Sequence, residues 1–276
     1  MAKESRDTMK IYVLYHASCF DGFCAAWIAH KYFGDNAEYI PVQYGEDPPP
    51  MEMGSRVYIL DFSYKKPVLE NLLQTHDVIV LDHHKTAQED LNQFALNPCI
   101  VFDMNKSGAR LTWEWFYHET YPAPWLVDYT EDRDLWRWEL KDSEIINLGL
   151  RTFPMNFSVW DSLEKKHCLR AGETMKRYFD ELLKGMKEHF YPITIRGYEF
   201  QITNCTMRDL ISEAAAMWTL GATFFIKEDG STVVSLRSKC DVDVSAIAKS
   251  FGGGGHRGAA GFTLPPGIPI HKGCTL

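Results

Sequence analysis

Residues 77–84 read Asp77-Val78-Ile79-Val80-Leu81-Asp82-His83-His84, an unbroken apolar run that ends in one carboxylate and two imidazoles. Apolar residues without polar alternation predict a strand buried on both faces, as in a parallel sheet covered by helices. Two earlier runs share the pattern. Ile11-Tyr12-Val13-Leu14-Tyr15 leads into His16, and Arg56-Val57-Tyr58-Ile59-Leu60 leads into Asp61. Between them lie helical patterns over about 22–32, with Ala25, Ala26, Ile28 and Ala29, and over 67–75, together with a weaker strand at 38–42. Strands alternating with helices predict an α/β fold with a parallel sheet.

Beyond this core, helices are predicted over about 108–118 and 161–189, the second charged and periodic enough to carry the chain from one domain to another. After Pro192 the pattern changes to a hairpin over 193–202 turning near Gly197. A helix (208–219), strands (222–227 and 232–237) and a short helix (244–250) follow. These features place a boundary near 190, giving a catalytic domain over 1–190 and a smaller α/β substrate-binding domain over 191–276. Residues 191–276 carry 8 Lys+Arg and 7 Asp+Glu, so the formal net charge of −8 at pH 7 resides entirely in the first domain.

Composition narrows the function. Hydrophobic residues make up 45% and charged residues 24%, which excludes disorder and low complexity. A net charge of −8 gives no basic track for long nucleic acid, although a local site can still hold a small phosphate ester. The seven cysteines are odd in number and form no C-x-x-C pair, which argues against a disulfide framework and for a reducing compartment. MAKESRDTMK has no apolar signal core and no run approaches a membrane span, so the expectation is a cytoplasmic protein.

The chemistry gathers at strand ends. His16 and Asp21 follow the first strand, Asp61 the second, and Asp82-His83-His84 the third. In an open parallel sheet such ends face one crevice. Any one of these residues alone is more simply a helix cap or a hydrogen-bonded histidine. Repetition at three ends points instead to a divalent-metal site, whose carboxylate and imidazole donors suit manganese and also magnesium, iron or zinc. The segment 129–138 adds Asp132, taken as a further ligand, and Asp134, taken as a partner behind it. Among residues 252–261, six glycines accompany His256 and Arg257, which predicts an anion-binding nest of backbone amides. No Walker A pattern is present.

Taken in order, these motifs resemble the DHH phosphoesterase superfamily with its associated C-terminal domain, and His16 to Phe23 is most similar to the nanoRNase-like branch that cleaves short oligonucleotides. The resemblance implies an active site in the cleft between the domains and two divalent cations, Mn2+ first and Mg2+, Co2+ or Zn2+ as alternatives. It implies Asp61 shared between the cations, His16 on one, and Asp21, His83 and Asp132 on the other. Asp82 and His84 are the implied catalytic pair, with Asp82 orienting a ligand and His84 facing the phosphate. Arg237, Gly254, Gly255 and His256 are the implied substrate contacts. Where many members carry another Asp, this chain has Cys19. The implied activity is metal-assisted hydrolysis of short oligonucleotides or small nucleotide phosphodiesters. A phosphoadenosine-phosphate phosphatase, an exopolyphosphatase and a nucleotide-sensing module are the alternatives. The expected partners are that substrate and a homodimer mate, with no membrane.

Overall fold

The computed structural model describes residues 9–276. Most of the start read as lacking a signal core, residues 1–8, lies outside them. The chain divides into two compact units, Met1–Glu173 and Thr174–Leu276.

In the first unit, β1 (Ile11–His16), β2 (Glu38–Val42), β3 (Arg56–Leu60), β4 (Asp77–Asp82) and β5 (Ile100–Phe102) form one parallel sheet in the order β2-β1-β3-β4-β5. The helices are α1 (Phe20–Phe33), α2 (Lys66–Thr75), α3 (Lys85–Asp90), α4 (Gly108–Tyr117), α5 (Trp125–Asp134), α6 (Ser143–Leu150) and α7 (Phe157–Ser162). The central strands alternate their side chains between two cores, as strand geometry requires. Tyr12, Leu14, Val57, Ile59, Val78 and Val80 pack with Leu69 and Leu72 of α2. Val13, Tyr58, Leu60, Ile79 and Leu81 pack with Ala25 and Ala29 of α1 and Leu111 of α4.

A third core joins helices to helices: Phe23 and Trp27 of α1, Trp113 of α4 and Trp160 of α7 are all buried there. Trp115, on the same α4 as Trp113, is exposed. The helix read over 161–189 begins differently. Leu163 is extended (φ −77°, ψ 124°), so α7 ends at Ser162 and α8 (Lys165–Met186) starts afresh. The break lets Trp160 and Leu163 both enter the core. The division between units falls inside α8.

The second unit is a mixed six-stranded sheet. Its strands are β6 (Tyr191–Ile195), β7 (Tyr198–Asn204), β8 (Leu220–Ile226), β9 (Thr232–Ser238), β10 (Gly254–His256) and β11 (Ala259–Leu264), in the order β10-β11-β9-β8-β7-β6. The hairpin turns on Arg196 (φ 48°) and Gly197 (φ 83°), a pair of left-handed residues that follows strand twist. The helix expected over 208–219 is a 3₁₀ turn at Arg208–Leu210 followed by α9 (Ile211–Ala215). α10 spans Val244–Lys249, capped by the Asp243 carboxylate on the amides of Ser245 and Ala246. Among the described residues, no helix is long and apolar enough to cross a membrane.

One close approach sets where α1 leaves β1. A Cβ placed on Gly22 would lie 2.3 Å from the backbone oxygen of His16. Alanine gains up to about 1 kcal/mol over glycine in a helix interior. Overpacking against rigid backbone costs about 1–3 kcal/mol, so the clash wins. Gly22→Ala is therefore expected to lower the urea unfolding midpoint, and an unchanged or raised midpoint would contradict this packing.

Candidate metal centre

Strand register delivers the site. Tyr15 pairs with Leu60 and Leu60 with Leu81, so the next residues, His16, Asp61 and Asp82, leave the sheet in one row. Asp61 has φ 62°, a left-handed bend that aspartate tolerates better than most residues. Its amide still donates to the Leu81 carbonyl (2.9 Å), which ties the bend to β4.

His83 lies at the centre, fully buried. Its Nε2 is 3.0 Å from Asp61 Oδ1, 3.4 Å from Asp21 Oδ2 and 3.4 Å from Asp134 Oδ2. His16 Nδ1 stands 3.4 Å from the other Asp61 oxygen. Asp21 is held from outside: the amides of Gly108 and Ala109, at the start of α4, donate to its two oxygens at 2.6 and 2.9 Å. Such helix N-terminal amides favour a carboxylate. Arg110, one residue on, joins Glu131 (3.0 Å) and Asp128 (2.6 Å) of α5, and so fixes the helix that carries Asp134.

Asp82 is turned away from this group. Its Oδ1 accepts from the amides of His83 (2.7 Å) and His84 (3.2 Å) and lies 2.7 Å from His84 Nδ1, while Oδ2 accepts from the Ser63 hydroxyl (2.6 Å). It therefore orients both histidines.

Asp132 is not brought to the cluster. Its carboxylate accepts from the amides of Glu139 (2.9 Å) and Leu140 (3.4 Å), fixing the loop after α5. Two residues along a helix are about 200° apart, so only one of Asp132 and Asp134 can face His83. It is Asp134 that faces His83, the place at which Asp132 was expected. The loop that Asp132 holds contains Trp136 (φ 58°) and Trp138 (φ 56°), ring centroids 5.0 Å apart.

The charges respond to this crowding. Burial, then Asp61 and Asp134, push the Asp21 carboxyl well above its usual range. Burial also resists ionisation of Asp61, but the imidazoles of His16 and His83 hold its pKa well below the ordinary value. Burial pulls His83 down, yet Asp61, Asp134 and Asp21 outweigh it and raise its pKa to about 10. Burial and the carboxylates of Asp61, Asp134 and Asp21 raise the Cys19 thiol.

The donors fit a bound cation. Asp21, Asp61 and His83 each offer a ligand atom within 4.8 Å of the others, and His16, Cys19 and Asp61 do the same. Asp61 belongs to both sets. His16 Nδ1, Asp61 Oδ2 and Asp134 Oδ2 are buried without a hydrogen-bond partner, which buried polar atoms rarely tolerate unless an ion or water completes them.

In the second unit, part of the glycine-rich segment is bonded within the fold. The amides of Gly252 and Gly253 donate to Lys249 and Ala248, closing α10, and Gly254, Gly255 and His256 form the edge strand β10. The amides of Gly252 and Gly253 are thus engaged within the fold, while an edge strand keeps alternate amides outside its ladder. Arg237 is half-buried along Ser212, whose hydroxyl oxygen accepts from it at 2.6 Å.

Residues 192–268 match the DHHA1 domain. Uncharacterized protein R106 of Acanthamoeba polyphaga mimivirus is 30% identical, over 95% of this chain and 68% of the relative. The chain is a relative of R106 and carries a DHHA1 domain. The fold agrees. RecJ from Thermus thermophilus, in complex with Mn2+, superposes with a TM-score of 0.52 at 15% identity, over 94% of this chain and 50% of RecJ. The pGpG-specific phosphodiesterase PggH from Vibrio cholerae gives 0.50 at 15% identity, covering 93% of each.

Two residues of this site escaped the sequence reading. Tyr44 lies beyond β2 in a turn-rich patch, its hydroxyl 3.2 Å from His84 Nε2 and its ring against His16 (4.6 Å). Gly108 shows only as a helix start, yet a Cβ there would lie 2.6 Å from the Asp61 Cβ.

Protons and cations compete for these donors. Without a cation, His83 with its pKa of about 10 holds a proton at neutral pH, and burial and its neighbours favour the protonated form of Asp21, so ligation competes with protons. Divalent-metal affinity is therefore expected to rise with pH up to about 10, with net proton release at pH 7. Calorimetry in buffers of unlike ionisation enthalpy measures that release, and heats independent of buffer would contradict it.

Proposed function

We propose that this chain is a divalent-metal-dependent phosphohydrolase that cleaves short oligonucleotides or small nucleotide phosphodiesters. The observation that carries the reading is Asp61, whose two oxygens serve two neighbouring donor sets, Asp21/Asp61/His83 and His16/Cys19/Asp61. Shared carboxylates suit a pair of cations. Bound there, divalent cations supply Lewis-acid polarisation of a phosphoryl oxygen and lower the pKa of water. Mn2+ is the first choice, in keeping with the RecJ complex of the same fold. PggH, also of this fold, is a phosphodiesterase.

The chain's own groups define the rest. Asp82 holds His84 through Nδ1, and the carboxylate raises the imidazole pKa against the opposing effect of burial. A protonated His84 can then donate to a phosphoryl oxygen as charge develops on it. In this reading Arg237, Gly254, Gly255 and His256 of the DHHA1 domain contact the substrate. An acidic chain without a basic track suits a short substrate better than a long polyanion.

With Mn2+ present, nucleotide release from short oligonucleotides is expected, abolished by chelator and by Asp61→Asn. Asp82→Asn is expected to lower kcat by about 10–100-fold, since partners behind a reacting group carry effects of that size. Both variants should keep the wild-type far-ultraviolet circular dichroism. Phosphate release from phosphoadenosine phosphate or polyphosphate without oligonucleotide cleavage would replace this substrate class with a phosphomonoester or polyphosphate. Activity indifferent to chelator would overturn the metal chemistry itself.

A further inference from the structure

We infer that Cys19 ligates one of the two cations together with His16 and Asp61, and that this position takes a cation of the Zn2+ class in preference to Mg2+. The inference rests on the two-cation reading above and deepens it, by making the two positions unlike.

Cys19 occupies the N-cap of α1 with extended backbone (φ −118°, ψ 136°), but its side chain makes no capping bond. A residue chosen to start the helix would be Ser, Thr, Asp or Asn, whose oxygen accepts from the first amides. Sulfur is a poor cap beside those oxygens, so capping alone does not explain it. Its surroundings do. One ligand atom from each of His16, Cys19 and Asp61 lies within 4.8 Å of the others, close enough to surround a single ion. Asp61 is 1% exposed, and its Oδ2, which faces His16 Nδ1 at 3.4 Å, has no hydrogen-bond partner. His16 Nδ1 is likewise buried without one. A left-handed Ser18 (φ 56°) turns the chain between His16 and Cys19, so both side chains come from one tight bend.

The donor chemistry then separates the positions. Sulfur, imidazole and a single carboxylate form a set that zinc and cobalt accept and magnesium does not, because magnesium prefers oxygen donors and retains water. On binding, a Cys19 Sγ–metal bond forms and the thiol proton leaves to solvent. Asp21, Asp61 and His83, with Asp134 beside them, form a harder set rich in oxygen, which suits Mn2+ or Mg2+.

The test is a Co2+ titration of the full chain under anaerobic conditions with a thiol-free reductant. Wild type is expected to show visible d–d bands and a near-ultraviolet thiolate-to-cobalt charge-transfer band. Cys19→Ser and Cys19→Asp should lose the charge-transfer band and keep d–d bands, with the six other cysteines present in both as their own control. Competition binding should show Cys19→Asp shifting the Cd2+-to-Mn2+ affinity ratio toward Mn2+ by at least about tenfold, the scale on which even indirect changes to a metal site act. A charge-transfer band that survives in the variants, d–d bands without it in wild type, or an unchanged ratio would overturn the ligand role of Cys19 alone. No cobalt binding in wild type would overturn the two-cation reading as well.

Discussion

One nitrogen, Nε2 of His83, lies within 3.4 Å of carboxylate oxygens from Asp21, Asp61 and Asp134, all in a buried pocket. Three anions around one imidazole are costly, since each buried ion loses several kcal/mol of hydration unless it is paired. The surrounding elements meet part of that cost unevenly. Asp21 receives two amides from the start of α4, where the helix dipole favours a negative charge. Asp61 receives imidazoles on both oxygens. Asp134 is the last residue of α5, the helix end that disfavours a carboxylate, and its buried Oδ2 has no hydrogen bond. Among the described residues, the side-chain nitrogen near its Oδ2 is His83 Nε2, at 3.4 Å.

The sheet makes this crowding inevitable. Parallel strands in register bring His16, Asp61 and Asp82 out in a row, and the left-handed bend at Asp61 keeps its carboxylate among its neighbours. Gly108 lets α4 press its first turn onto Asp61, closer than any side chain would allow. Arg110 then binds α5 and α4 together through Glu131 and Asp128. Fold and site are one construction: the amides that begin α4 are also the donors that hold Asp21.

The strands and their terminal residues were legible because a buried parallel strand is a plain signal, and the polar residues follow it directly in sequence. The rest depended on contacts far apart in the chain. Segment 129–138 showed its carboxylates but not the helix phase of α5, so Asp132 and Asp134 could not be told apart until the phase turned one toward His83 and the other onto the amides of Glu139 and Leu140. The glycines of 252–261 carried a true signal of unusual backbone, but not that the amides of Gly252 and Gly253 close α10 while Gly254 to His256 form the edge strand β10. Tyr44 and Gly108 had no local signature, since their importance lies in which distant residue they meet.

Charge counting joins the sulfur to the carboxylates. Asp82 is hydrogen-bonded to His84 and contributes little net charge to the cluster, whereas Asp21, Asp61 and Asp134 face inward with His83 between them. With two divalent cations bound as proposed, these three carboxylates would leave one positive charge unbalanced. A Cys19 thiolate, as inferred above, would supply that anion and bring the pair of sites to neutrality. A neutral site holds a phosphodiester through polarisation and hydrogen bonds, and it releases an anionic product more readily than a site with excess positive charge.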